Sequence, residues 1–237
     1  MKRILLKLSG EALAKKDEKG NIIELYDVEL VLRVAKVIKK CKDEGYQLAL
    51  VVGAGNIWRG RSGGDMDRMD ADRMGMLATV MNSIYLKDAL ARVGAEAVVM
   101  TSINMFPFAE YYSADAAKKA LDDGKIVILG AGLGVPFMST DTAGAVRAAE
   151  ISADAMLMAK NIDYIYDDDP EKNPEAKKLE NVKASEVLAM NLKAIDLTAT
   201  AFCFSVGMPI RVFGLNEPDD IFRAVSGKVV GTVVSAE

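Results

Sequence analysis

Short apolar runs recur along this chain, and stretches of helical period separate them. "RILLKLSG" (3–10), "YQLALVVGAG" (46–55), "AEAVVM" (95–100), "KIVILGAG" (125–132) and "ADAMLMAK" (153–160) are each too short for a stable helix. Their polar residues sit mostly at the ends, so they read as strands buried on both faces. Between them, "DVELVLRVAKVIKKCKDEG" (27–45) repeats apolar residues every three or four positions, with Asp27 placed to cap a helix and Gly45 to end it. "MGMLATVMNSIYLKDALARVG" (74–94) and "DTAGAVRAAEIS" (141–152) also read as helices. Near the C-terminus, "MPIRVFG" (208–214) and "GTVVSA" (231–236) read as strands around the helix "PDDIFRAVSG" (218–227). This alternation predicts an α/β fold, a mostly parallel sheet covered by helices on both faces. No repeat or low-complexity linker interrupts it, so residues 1–237 are expected to form one domain with N- and C-terminal lobes. The polar, proline-bearing stretch "YDDDPEKNPEAKKLENV" (166–182) reads as a functional surface loop.

Composition removes several chemistries. The chain contains no histidine, which excludes Ser-His-Asp triads, Cys-His dyads, His-ligated metals and His general bases within it. Any chemistry must run on Lys, Arg, Asp, Glu, hydroxyls, backbone amides or a bound cofactor. Cys41 and Cys203 are too few and too far apart for a disulfide framework or a zinc site. A net charge of −4 argues against general nucleic-acid affinity, yet leaves room for a local basic pocket. No stretch approaches the roughly 20 apolar residues of a membrane span, and Lys7 and Glu11 break the N-terminal apolar run. The expected location is cytoplasmic.

Three glycine-bearing segments fall at predicted strand ends: Lys7–Gly10, Gly53–Asn56 and Gly130–Pro136. In parallel sheets, ligands bind at the carboxyl ends of strands. Glycine lets the backbone come close to a ligand, and the amides of such a turn, with the start of the following helix, favour phosphate. One such loop is most simply a tight turn. Three together, with Lys7 and Arg59 beside two of them, point to a polyanion. The pattern G-x-x-x-x-G-K-[ST] is absent, because Gly124-Lys125 runs on as "IVI" and Gly227-Lys228 as "VVG". "GAGNIW" lacks the third glycine of G-x-G-x-x-G, and "GAGLGV" spaces its glycines differently. The chain reads as a phosphate binder of neither standard kind.

"KRILLKLSGEAL", "VVGAGNIWRG", "DRMGMLATVMN", "PFMSTDTA", "DDDPEKNP" and "MPIRVF" occur in the order seen in bacterial uridylate (UMP) kinases of the amino acid kinase family, which this chain resembles over nearly its whole length. The resemblance implies an eight-stranded, mostly parallel sheet between helical layers, a homohexamer, and allosteric control by nucleotides. It implies phosphoryl transfer from ATP, with Mg²⁺, to UMP, the N-terminal lobe mainly holding UMP and the C-terminal lobe ATP. The acceptor would be a phosphate oxygen already ionised at neutral pH, so the missing histidine is no obstacle. A kinase of another acceptor in the same family, or a non-catalytic nucleotide-binding regulator, are the other readings. Retention of Lys7, Asp141 and Asp196 together weighs against the regulator.

Carried over position by position, the resemblance makes Lys7 the cation on the transferring phosphoryl group, with Asp141 and Asp196 holding Lys7 and shaping the surroundings of the metal. Taken alone, each aspartate also reads as a helix cap. Lys7, Leu8, Ser9, Gly10, Gly55 and Arg59 would line the ATP phosphates, and Lys160, Tyr166 and Asp169 the adenosine. Asp72 would bind the UMP ribose, although it also reads as an ordinary first-turn acid. Ala54, with Leu133, Gly134, Val135, Pro136, Phe137, Met138, Ser139 and Thr140, would complete the UMP side. No protein ligand to the metal is expected, the Mg²⁺ being held mainly through phosphates and water. Two departures stand out. Ala54 replaces a usual glycine, and Leu133-Gly134-Val135-Pro136 replaces T-G-N-P, with loss of two polar side chains.

Overall fold

The computed structural model describes residues 2–58, 65–170, 172–192, 194–215 and 217–235. In chain order the elements are β1 (Arg3–Leu8), a 3₁₀ turn (Gly10–Leu13), β2 (Lys15–Lys16), β3 (Ile22–Glu24), α1 (Val28–Asp43), β4 (Gln47–Val52), α2 (Arg68–Arg92), β5 (Ala97–Thr101), β6 (Glu110–Tyr111), α3 (Ala114–Asp122), β7 (Ile126–Gly130), α4 (Thr140–Glu150), β8 (Ala155–Lys160), β9 (Ile165–Tyr166), β10 (Lys178–Leu179), β11 (Asn181–Lys183), α5 (Ala184–Ala189), α6 (Leu197–Ser205), β12 (Ile210–Gly214), α7 (Asp219–Val225) and β13 (Thr232–Ser235).

Nine strands form one sheet in the order β11-β13-β12-β8-β1-β4-β7-β5-β6, where eight were expected. The excess lies at the edges. β6 and β11 are two and three residues long and have no apolar run to announce them. Every pairing in the sheet is parallel except β12 with β13. The stretch 166–182 is not a free loop. Its ends form the antiparallel pair β9–β10 and lead into edge strand β11.

The strand period of two divides the core. Ile4, Leu6 and Leu8 of β1 pack on one face with Ile38 of α1, Leu86 of α2 and Phe213 of β12. Leu5 packs on the other with Val51, Leu129, Ala145 of α4, and Met156. Lys7 shares a face with Leu5 by the same alternation. β1 has β4 on one side and β8 on the other, so the connections diverge there and a crevice opens at the carboxyl ends of these strands.

Helix signals act largely where the sequence puts them. Asp27 caps α1, its side chain accepting from the Leu30 N–H at 2.9 Å. α2 begins at Arg68, earlier than the apolar period suggests, because Asp67 accepts from the amides of Met69 and Asp70. No helix among the described residues is long and apolar enough to cross a membrane.

A buried amide pair ties α2 to the first glycine turn. Asn82, fully buried, donates to the Gly53 carbonyl at 2.7 Å and to Asn56 Oδ1 at 2.8 Å. Asn56 donates back to Asn82 Oδ1 and to the Leu25 carbonyl, and Tyr26 donates its hydroxyl proton to Asn82 Oδ1. Replacing Asn82 by Ala strands the Gly53 carbonyl and half of the Asn56 amide. We expect a loss of roughly 2–3 kcal/mol, seen as a lower urea midpoint at unchanged slope. A loss below about 0.5 kcal/mol would show that the pair does not hold the turn.

Candidate functional site

Lys7 is the penultimate residue of β1, and its side chain lies under the start of α4. Asp141 sits in the first turn of α4 and is buried with it. Lys7 Nζ is 2.9 Å from Asp141 Oδ1, and Lys160 Nζ, at the end of β8, is 2.7 Å from Asp141 Oδ2. Lys160 also donates to the Ala194 carbonyl at 2.5 Å. One carboxylate thus holds two ammonium groups, that of Lys7 buried and that of Lys160 partly buried. Burial pushes the Asp141 carboxyl up, but Lys7 and Lys160 outweigh it and hold the group below the ordinary carboxylate range. Burial lowers the Lys160 ammonium from the usual lysine value, against the pull of Asp141. The cluster carries a net positive charge at the carboxyl ends of the central strands.

Asp196 lines the same cavity as Lys7 and Asp141, but among the described residues its hydrogen-bond partners are hydroxyls and a backbone amide. It accepts from the hydroxyls of Ser139 and Thr142, the latter at 3.0 Å, and caps α6 through the Ala199 amide at 2.8 Å. Among the described residues it makes no ion pair, so it does not grip Lys7. Its charge faces neutral hydroxyls and the cavity, and it adds a pull on the Lys160 ammonium. Ser139 in turn caps α4, so the first turns of α4 and α6 are laced together through one carboxylate.

Both helix starts open on one cavity of about 870 Å³. Lys7, Ala54, Gly55, Asp72, Val135, Phe137, Met138, Ser139, Thr140, Asp141, Lys160 and Asp196 line it. Leu8, Ser9, Gly10, Leu133, Gly134 and Pro136 are not among its described lining residues. Ser9 cannot cradle phosphate through its amide in this arrangement, because that N–H already donates to the Ala159 carbonyl of β8. Gly10 has a packing role: a β-carbon there would lie 2.3 Å from the Gly53 carbonyl oxygen. Ala54 keeps a negative φ, so its methyl group costs no backbone strain. Arg59, and Arg61 beside it, lie outside the described residues.

The segment 131–138 forms the wall facing Lys7. It bends through positive φ at Ala131, Gly132, Gly134 and Phe137. At Phe137 this costs roughly 1–3 kcal/mol, which the surroundings must offset. Asp72 does so in part. Its carboxylate accepts from the Phe137 amide at 2.8 Å, and both of its oxygens accept from the single Arg68 Nε–H at 3.0 Å. Glu11, Arg68, Trp58, Thr79 and Thr142 also line the cavity, and the motif reading assigned none of them to it. Trp58 sits in the wall with its indole N–H on the Ala71 carbonyl.

Tyr166 and Asp169 lie in a second cleft of about 730 Å³, with Asp163, Tyr164, Pro170 and Leu192. Asn191, at positive φ, lines both spaces, and Ala194, which holds Lys160, lines the second. The two clefts therefore adjoin at the Lys160 cluster. No group of three or more His, Cys, Asp or Glu among the described residues is arranged to hold a metal by itself.

The family model for the amino acid kinase family matches residues 2–214. A UMP kinase from Bacillus anthracis is 36% identical, with a TM-score of 0.92 over 100% of this chain and 96% of that one. A UMP kinase from Ureaplasma parvum is 35% identical, with a TM-score of 0.91 over 99% and 98%. A uridylate kinase from Archaeoglobus fulgidus, at 24% identity and a TM-score of 0.77 over 99% and 100%, shares the fold. The central sheet, the glycine turns at its carboxyl edge and the length of the match agree, and the chain belongs to the amino acid kinase family.

Proposed function

We propose that this chain is a UMP kinase, moving the γ-phosphoryl group of ATP to UMP to give ADP and UDP for pyrimidine nucleotide synthesis. The observation that carries the reading is the buried Lys7–Asp141–Lys160 cluster between two adjoining clefts, in a chain 35–36% identical over nearly its full length to two UMP kinases. The cavity holding Asp72 and the 135–140 wall is assigned to UMP, and the cleft holding Tyr166 and Asp169 to adenosine. The N-terminal lobe would then carry mainly the acceptor and the C-terminal lobe mainly the donor.

The chemistry asks little beyond position and charge. A UMP phosphate oxygen forms the new P–O bond as the bond to the β–γ bridging oxygen breaks, and that oxygen leaves with ADP. No proton need be removed. Lys7 and Lys160, fixed on one carboxylate, offer charge to the oxygens of the moving group with no reorganisation of the protein. The starts of α4 and α6 add aligned backbone amides. Bound Mg²⁺ would neutralise the ATP phosphates. Asp196, a cavity-facing carboxylate free of ion pairs among the described residues, fits a contact to its water shell.

Self-association as a homohexamer, allosteric control and a cytoplasmic location belong to the same reading. Met74, Leu77, Met81 and Ile84 support the first, lying exposed at three- and four-residue spacing along α2. Such a seam suits a second copy of the same helix.

Three outcomes test the reading. In a coupled assay for ADP, UMP should turn over far faster than CMP or aspartate; comparable rates with CMP would sink the assignment. Lys7→Ala should lower kcat on the order of a hundredfold or more, with the far-UV circular dichroism spectrum unchanged. A folded variant with near-native kcat would refute the role. The pH profile of kcat/KM for UMP should rise with the second ionisation of the UMP phosphate, at roughly pH 6. Asp141 is held below the carboxylate range and cannot supply that limb. A UMP analogue of lower phosphate pKa should move the limb; if it stays put, a protein group controls the rate. On the alkaline side, burial lowers the Lys160 ammonium from the usual lysine value, so loss of its proton would remove charge from the site as pH rises.

A further inference from the structure

A polar chain outside the cavity ends on the backbone of its wall. Arg147, in the last turn of α4, is only 7% exposed. Its guanidinium forks, Nη1 donating to Glu150 Oε2 at 2.6 Å and Nη2 donating to Ser102 Oγ at 3.0 Å. Ser102 Oγ in turn donates to the Gly132 carbonyl at 2.6 Å. Arginine has no acceptor and stays protonated, so the direction of this chain is fixed. With one lone pair of Ser102 occupied by Arg147, the hydroxyl proton is directed at Gly132.

The arginine is itself held. It lies 3.9 Å over the ring of Tyr112, whose hydroxyl donates to the same Glu150 oxygen at 2.6 Å. Ser102 also sets a packing distance: a β-carbon on Gly134 would lie 3.1 Å from Ser102 Cβ. The loop therefore rests on Ser102 at Gly132 and Gly134, and hangs from Asp72 at Phe137. Between these supports stand Val135 and Phe137 of the cavity wall. Arg147, Glu150, Tyr112 and Ser102 do not line the cavity.

We propose that Arg147, acting through Ser102, is a positioning residue. It sets where the 132–138 loop stands, and so how tightly the acceptor nucleotide is held. The identity of that nucleotide rests on the UMP kinase reading; the positioning itself does not. Lysine cannot replace the arginine, because an ammonium neither forks in a plane to two acceptors nor stacks on Tyr112 in the same way.

The test compares wild type, Ser102→Ala and Arg147→Lys by steady-state kinetics with UMP and ATP varied separately, and by amide hydrogen exchange across 132–138. Ser102→Ala should raise KM for UMP about three- to tenfold, the change expected from one lost hydrogen bond. KM for ATP and kcat should stay within about twofold. Exchange should quicken in 132–138 and stay unchanged in α4 and β7. Arg147→Lys keeps the Glu150 pair and should shift the same two readouts in the same direction. If both KM values move together, or exchange quickens along all of α4, the role is merely structural and the inference fails. If loop exchange and KM for UMP both stay at wild-type values, it also fails. A wild-type chain that leaves UMP untouched overturns the proposed function instead, and loop exchange in the variants still decides whether Arg147 positions the loop.

Discussion

The Asp141 carboxylate, shared between Lys7 and Lys160 in a buried place, is the interaction on which the site depends. Either ammonium alone in that position would be costly, since desolvation penalises each charge strongly. With both amines on one carboxylate, every charge has a partner at hydrogen-bond distance. The arrangement fixes β1, α4 and β8 relative to one another, and the three groups taken together carry one surplus positive charge. The chain has no histidine, so the site's cations are lysines and arginine.

Around that cluster the fold repeats one device, using polar side chains to fix the backbone of the turns. Asn82 holds Gly53, Thr79 Oγ1 accepts from the Ala131 amide, Ser102 holds Gly132, and Asp72 holds Phe137. Both of the turns so held, at Gly53 and at 131–138, lie at the carboxyl edge of the sheet, where few ladder bonds remain to restrain them. Asn82, Thr79 and Asp72 all come from α2, so one helix positions both the first glycine turn and the 131–138 wall.

The strands of the core were legible because each is an apolar run with little competing signal. The edges were not: β6, at Glu110–Tyr111, and β11, at Asn181–Lys183, are polar and form only because a longer neighbour offers them a ladder. Lys7 stood out as a lysine between Leu6 and Leu8. Lys160 could be matched to a motif, but its sharing of Asp141 depends on sheet register between distant segments, which local pattern does not carry. The same gap affected Ser9. Its amide looks free in the sequence, yet the neighbouring β8 takes it at Ala159. Asp196 carried both a capping and a site signal, and its hydroxyl partners Ser139 and Thr142 become visible only when α4 and α6 meet.

The central place of β1 has a consequence for how the molecule comes to be folded. In chain order β1 precedes both of its neighbours, and β4 is the nearer of the two in sequence. Its other neighbour, β8, ends at Lys160, and both ion-pair partners of the cluster wait on residues beyond 140. Until then, one edge of β1 and the ammonium of Lys7 have no native partner. Closing such long loops is entropically slow, and it comes before the contacts that reward it. The cluster therefore depends on contacts of long sequence separation, joining β1 to residues well past the middle of the chain.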